Sequence, residues 1–148
     1  MKSRFALMFA ALTLFASAAL AVDFGVHGGY YGNDLKEAFI GADVRLPLGP
    51  LSLMPNLDYT RSEDVNVFFA SGDVNLTYST SPNGPSYWFG AGPTYGYARF
   101  ESDDEGDWGW DANAGFSWAA AGFRPYVTGR YIKINDFKTL GAAIGLRF

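Results

Sequence analysis

Between residues 108 and 118 the chain reads WGWDANAGFSW, and two kinds of residue alternate at every second position. Aromatic residues and alanine occupy one set of positions, whereas glycine, Asp111, Asn113 and Ser117 occupy the other. A helical period would place Trp108 and Asp111 on one side and mix the two sets, so the period of two indicates a β-strand.

The same alternation recurs along the chain between turn sequences and predicts eight strands. They cover approximately residues 22–30, 39–46, 51–60, 68–79, 87–98, 108–118, 124–131 and 139–148. Short turns rich in Pro, Gly or Ala are predicted at 47–50, 81–85 and 119–122. Longer or more charged connections at 33–37, 61–66, 100–107 and 133–138 are predicted to form surface loops. Pro55 and Pro93 interrupt two strands and are expected to cause β-bulges, and the register near residues 67–70 stays open.

The composition of the two faces indicates which one meets water. A soluble sandwich or ligand-binding barrel normally exposes Lys and Glu on its polar face. Here the polar faces lack both and carry Gly, Ala, Ser, Thr, Asn, Asp and a few Arg, which fit a narrow interior. The apolar faces are rich in Trp, Tyr and Phe and are therefore predicted to face lipid.

The dimensions agree with a membrane-spanning barrel. Eleven residues at roughly 3.3 Å each, tilted by about 45°, rise about 25 Å, which is the height of an outer-membrane apolar band. Because every backbone N–H in lipid needs a partner, the strands must close on themselves. The predicted fold is an all-β, eight-stranded antiparallel up-and-down transmembrane β-barrel.

The N-terminal segment has the features of a cleaved secretory signal peptide. Lys2 and Arg4 precede an apolar run from Phe5, and Ala19-Leu20-Ala21 forms a small-x-small cleavage site. The predicted organisation is a signal peptide at 1–21 and one barrel domain at 22–148. Removing Lys2 and Arg4 from the 11 basic residues leaves 9 against 15 acidic residues, and this balance excludes a basic nucleic-acid-binding surface.

The signal peptide, the eight alternating strands and the terminal Ile144-x-Leu146-x-Phe148 resemble the small outer-membrane β-barrels of diderm bacteria, of the OmpA/OmpX type. The resemblance implies location in the outer membrane, contact with its lipids and lipopolysaccharide, and a monomeric barrel. It also implies that the barrel assembly machinery recognises the last strand, through Leu140, Ala142, Ile144, Leu146 and Phe148.

The predicted lumen carries charges of both signs. Its residues are Asp23, His27, Asp43, Arg45, Asp58, Asp73, Asp111, Arg124, Arg130 and Arg147. Because side chains fill an eight-stranded barrel, a hydrogen-bonded ion-pair plug is expected, with a narrow ion path as the alternative. His27 is the sole histidine, and no serine lies among its inward neighbours on the adjacent strands, so a hydrolase is not expected. His27 is predicted to bond to Asp43.

The stretch 101–107 holds five carboxylates and is a weak candidate for a divalent cation site, through Asp103, Asp104, Glu105 and Asp107. A solvated acidic loop is the simpler interpretation, and no cofactor is expected. Three functions remain open: a non-enzymatic structural or surface-interaction barrel, a narrow channel or carrier for small solutes, and a secreted soluble ligand-binding β-barrel.

Overall fold

The computed structural model describes residues 22–81, 83–101 and 103–148, and these form eight antiparallel strands. The strands are β1 (Asp23–Tyr31), β2 (Ala38–Leu48), β3 (Leu51–Ser62), β4 (Val65–Ser79), β5 (Ser86–Arg99), β6 (Asp104–Ser117), β7 (Arg124–Ile134) and β8 (Phe137–Arg147). In this part of the chain no helix is long and apolar enough to cross a membrane. The predicted signal peptide, residues 1–21, lies outside the described residues.

Each strand pairs with the next, and β8 pairs with β1 to close the barrel. At the closing seam Val26 lies opposite Leu146. Phe24 and Phe148 extend this seam, since each backbone N–H donates to the carbonyl of the other at 3.1 and 2.8 Å. The predicted all-β up-and-down barrel is therefore confirmed.

The apolar faces point outward and the polar faces point into the lumen. Trp108 and Ile144 expose 66% and 63% of their surface, whereas Asp111 is fully buried. Every strand contributes to the exposed apolar belt, whose members include Phe24, Ile40, Leu57, Val74, Phe89, Trp110, Val127 and Leu140. An apolar exterior around a charged interior is the arrangement of a transmembrane β-barrel and the reverse of a soluble one.

The connections lie in two sets at opposite ends of the barrel. The lower end carries both ends of the barrel domain and the turns at 49–50, 80–85 and 118–123, as predicted. The upper end carries the connections 32–37, 63–64, 100–103 and 135–136. Glu63 and Asn135 adopt positive φ angles of 51° and 52°, which suits two-residue hairpin turns.

Three predicted loops were therefore too long. Lys133 pairs with Lys138 and Arg61 pairs with Asn66, so the segments 133–138 and 61–66 are mostly strand. Likewise β6 begins at Asp104, inside the predicted loop 100–107. The physical reason is that strand pairing continues beyond the lipid into water, where charged side chains are compatible with a hydrogen-bonded ladder.

The predicted bulges at Pro55 and Pro93 are absent. Beside Pro55 the β2–β3 register passes from Asp43↔Asn56 to Leu46↔Leu53 without an extra residue. The β4–β5 register skips the pairs beside Pro93 in the same way. Each proline keeps its pairing on the other side, so the missing N–H interrupts only one ladder.

The register that the sequence left open in β4 is set by its pairing with β3. Phe68 lies opposite Tyr59 and faces outward, where the two rings are 5.0 Å apart. Phe69 is consequently inward and buried.

Replacing Ile144 with Arg is expected to lower the free energy of unfolding by about 2–4 kcal/mol, because a charge on the lipid face near mid-depth loses its water. Leu140→Arg, nearer the upper rim on the same strand, should cost less. Denaturant unfolding of barrels refolded into vesicles measures both values. Equal, near-zero losses would show that this face does not contact hydrocarbon.

Candidate functional site

The lumen is filled by side chains in three successive layers. The upper apolar layer consists of Tyr31, Phe39, Phe69, Ile132, Ile134 and Ala143, all buried. The lower aromatic layer consists of Met54, Trp88 and Tyr126, also buried. Between them lie the charged residues of the barrel centre. The interior is thus closed by apolar groups on both sides of its charges.

Inward-facing glycines make room for the large side chains of these layers. A Cβ atom added to Gly141 would lie 2.6 Å from the Tyr31 ring, and one on Gly145 would lie 2.5 Å from the Tyr126 ring. Real Cβ contacts are essentially never this short. The glycine-rich polar faces of the sequence therefore accommodate aromatic rings from strands across or beside them.

His27 is the centre of the charged layer. Its Nε2 lies 2.7 Å from Asp58 Oδ1, and its Nδ1 lies 2.9 Å from the Tyr126 hydroxyl and 3.4 Å from Asp43 Oδ2. The Tyr126 hydroxyl donates its hydrogen to Asp43 Oδ2 at 2.5 Å, so Nδ1 must donate to the Tyr126 oxygen. Because Nε2 also faces a carboxylate, both ring nitrogens donate. His27 is thus held as an imidazolium.

Arg130 links the acidic residues on the other side of the charged layer. Its Nη1 donates to Asp58 Oδ2 at 2.8 Å and also to the Asn56 side-chain oxygen. Its Nε lies 3.1 Å from Asp111 Oδ2, and its Nη2 lies 3.8 Å from Asp73 Oδ2. One guanidinium therefore joins β3, β4 and β6 from its position on β7.

Tyr31 completes the coordination of Asp58. Its hydroxyl donates to Asp58 Oδ2 at 2.5 Å. The Asp58 carboxylate therefore accepts from His27, Arg130 and Tyr31 together, which compensates the cost of burying it.

Arg147 holds the lower part of the charged layer. Its Nη2 donates to Asp43 Oδ1 at 2.6 Å. Its guanidinium carbon lies 4.5 Å from the centre of the Tyr126 ring and 5.2 Å from that of Trp88. Ion pairing and cation–π contact thus anchor the last strand to the lower aromatic layer.

The remaining predicted lumen residues lie apart from this network, at the lower end. Asp23 and Arg45 form their own ion pair at 2.7 Å and are partly accessible. Arg124 donates to the Gly84 carbonyl and to Ser86 Oγ at 3.3 and 3.4 Å. The charges are therefore divided between a sealed central network and a separate group near the lower opening.

Sequence reasoning identified the charged groups but not all their partners. The expected contact of His27 with Asp43 exists at 3.4 Å, yet its nearest carboxylate is Asp58, on a strand that does not pair with β1. The lumen is narrow enough for side chains to meet across non-adjacent strands. Tyr31, in the last position of β1, was missed although its inward register followed from His27 four residues earlier.

The acidic stretch at the upper end does not form a metal cluster among the described residues. Asp104 accepts from the Tyr97 hydroxyl at 2.7 Å, and Asp107 accepts from the Asn135 side chain. Asp103 accepts from the backbone N–H of Asp104 at 2.9 Å. Glu105 lines an open cavity of about 720 Å³ whose floor is the upper apolar layer.

The proposed assembly residues of β8 all lie on the lipid side. Leu140, Ala142, Ile144, Leu146 and Phe148 are exposed, and Phe148 exposes 62% of its surface.

A closed barrel with a lipid-facing exterior and a filled, charged lumen belongs to the class of small transmembrane β-barrels. No protein-family model and no curated protein sequence matches the chain. Solved structures show its fold. The N-terminal β-barrel domain of OprF from Pseudomonas aeruginosa is similar with a TM-score of 0.68 and 16% identity, over 86% of this chain and 96% of that one.

Two further outer-membrane proteins have the same architecture. Neisserial surface protein A is similar with a TM-score of 0.63 and 12% identity, over 85% of this chain and 94% of that one. Ail, the attachment invasion locus protein of Yersinia pestis, is similar with a TM-score of 0.61 and 15% identity, over 86% and 96%. The fold is therefore that of small outer-membrane β-barrels.

Substituting His27 with Leu is expected to lower the free energy of unfolding by about 3–5 kcal/mol, because Asp43 and Asp58 lose a shared buried cation. Denaturant unfolding in lipid vesicles, followed by tryptophan fluorescence, measures the loss. Thr139→Val provides a control, since it removes a neutral hydrogen bond to the Gly32 carbonyl of 2.7 Å and should cost about 0.5–1.5 kcal/mol. If the two losses were equal, His27 would not be the charged centre of the network.

Proposed function

We propose that this protein is a non-enzymatic integral β-barrel of the outer membrane, with a closed lumen and a structural or surface-interaction role. The observation that carries the proposal is the layered filling of the lumen. A solute crossing the barrel would have to displace the upper apolar layer, the network around His27 and Arg130, and the lower aromatic layer in turn. A barrel that is closed in this way acts through its exterior and its exposed ends rather than by transporting a solute.

Location in the outer membrane is supported by four features. The exposed apolar belt requires lipid, because an apolar surface of this extent is not stable in water. Trp108 and Tyr78, with 66% and 68% exposure, lie near opposite ends of their strands, where interfacial aromatic girdles occur. The predicted signal peptide supplies export, and the fold is shared with known outer-membrane barrels.

The upper end of the barrel offers a compact acidic face. Two of its connections are two-residue turns, so little loop extends above the strands. Its acidic residues outnumber its basic ones, with Asp34, Glu37, Glu63, Asp64, Glu101, Asp103, Asp104, Glu105, Asp107 and Asp136 against Lys36, Arg61, Arg99, Lys133 and Lys138. The proposed surface role therefore depends on this acidic rim rather than on long recognition loops.

A refolded barrel is expected to leave planar lipid bilayers non-conducting, because a path through the lumen would have to break the buried ion pairs of its central network. Single-channel recording at both polarities measures this, with a general porin as the positive control. Electrophoresis of unboiled samples, in which a folded barrel migrates differently from the boiled chain, verifies folding. Steady, reproducible channel steps from folded protein would contradict the closed lumen and favour the narrow-channel alternative.

Phe148→Ala is expected to reduce the amount of folded barrel in cell membranes, because the assembly machinery loses the terminal aromatic of β8. The same variant should refold in vesicles nearly as well as the unchanged protein, since its backbone bonds to Phe24 remain. The matched control is Phe24→Ala, which removes the exposed ring beside it on β1. Electrophoretic mobility before and after boiling measures the folded fraction. Equal assembly of the two variants would argue against a recognition role for Phe148.

A further inference from the structure

Two strands on one side of the lumen carry matching pairs of oxygen-bearing side chains. Asp73 and Asn75 lie on β4, and Asp111 and Asn113 lie on β6. The strand between them, β5, presents only Gly90 and Gly92 at this level. Gly90 lies opposite both Asn75 and Asn113, and Gly92 lies opposite Asp111.

Because β5 carries only glycine at this level, side chains of β4 and β6 can reach each other across it. Asn113 Nδ2 donates to Asp73 Oδ2 at 2.7 Å across the glycine strand. The carboxyl groups of Asp73 and Asp111 also face the same guanidinium, that of Arg130. The four side chains therefore converge on one region of the lumen, which we call the β4–β6 site.

Several oxygen atoms of the β4–β6 site are buried without a hydrogen-bond donor. They are Asp73 Oδ1, Asp111 Oδ1, Asn75 Oδ1 and Asn113 Oδ1, and the Asn75 side-chain nitrogen beside them is likewise buried without an acceptor. Asp73, Asn75 and Asp111 are fully buried, and Asn113 is 5% exposed. The Asn75 oxygen lies in front of Gly90, close to where a Cβ atom on that residue would be, so it points into the site. Buried oxygens in such number call for a partner that donates a hydrogen bond or carries positive charge.

The charge of the sealed network points to the same conclusion. Its carboxylates are Asp43, Asp58, Asp73 and Asp111, and its cations are His27, Arg130 and Arg147. Arg130 pairs most closely with Asp58, at 2.8 Å, and the same guanidinium also faces Asp111 at 3.1 Å and Asp73 at 3.8 Å. Among the described residues, every ion pair of Asp73 and Asp111 involves this one guanidinium, so negative charge exceeds positive charge locally at the β4–β6 site, and burying that excess is costly.

We propose that the β4–β6 site binds one small monovalent cation of the sodium class, coordinated by Asp73, Asp111, Asn75 and Asn113. Hard cations take carboxylate and amide oxygens as ligands, and these are the groups left free here. A single positive charge balances the network, whereas a divalent ion would leave an excess of positive charge.

Other occupants explain the observations less completely. A proton shared by Asp73 and Asp111 would balance the charge but would leave both asparagine oxygens without a partner. A buried water molecule would donate two hydrogen bonds but would bring no charge. A cation satisfies the oxygens and the charge together. Because both apolar layers seal the lumen, the ion is captured while the barrel folds.

The test compares the protein refolded into vesicles in sodium chloride with the protein refolded in N-methylglucamine chloride at equal ionic strength. The expected result is a higher unfolding temperature in sodium, rising to saturation as sodium replaces the bulky cation. Elemental analysis after exchange into N-methylglucamine buffer should find about one sodium per folded barrel. Equal unfolding temperatures in the two salts, or no retained sodium, would overturn the proposal in favour of a shared proton or water.

Two variants localise the effect. Asp111→Asn removes the uncompensated charge, so its unfolding temperature should no longer respond to sodium. Asp23→Asn removes an equivalent carboxylate at the lower end, outside the site, and should keep the full response. An undiminished sodium response in Asp111→Asn would also overturn the assignment. If Asp111→Asn does not refold, the elemental analysis of the unchanged protein still decides.

Discussion

Closure of the sheet between β1 and β8 is the constraint on which the rest of this structure depends. In lipid an unpaired backbone N–H or C=O has no water to bond to, so a strand with a free edge is not stable there. Pairing of Val26 with Leu146, continued by the mutual backbone bonds of Phe24 and Phe148, removes that edge. Once the sheet is closed with eight strands, its diameter is fixed, and so is the small volume left inside.

The small lumen explains why its charges behave as one network. Asp58 on β3 contacts His27 and Tyr31 on β1 and Arg130 on β7. Neither strand is adjacent to β3 in the sheet, so these side chains meet across the lumen. In a wider barrel these groups would be hydrated separately. Here Asp43 and Asp58 are satisfied by neighbouring side chains, and apolar layers above and below keep water out. The same narrowness requires glycine wherever a large ring crosses the lumen.

The sequence predicted the number of strands, their faces and the placement of the charged residues with considerable accuracy. It did so because alternation reports directly on which side of a strand each residue occupies. Connections were less predictable. Alternation of apolar and polar residues stops where lipid stops, but hydrogen-bonded pairing does not, so the pattern placed Lys133, Lys138 and Asp104 in loops although they lie in strands. Pro55 and Pro93 also show what the sequence alone does not predict. Whether the backbone N–H that proline lacks produces a bulge depends on how the neighbouring strands pair with it.

The sequence by itself determined which face of each strand points toward lipid. A face of Trp, Phe and Leu and a face of Gly, Asp and Asn have only one stable arrangement in a membrane. Only the tertiary structure decided which charges meet. His27 lies nearest Asp58 rather than Asp43, and Asp73 faces Asp111 across Gly92, because these contacts depend on register and on the curvature of the closed sheet. Register and curvature are properties of the whole sheet and not of one strand. Side-chain contact between non-adjacent strands is a consequence of closure, which no single segment encodes.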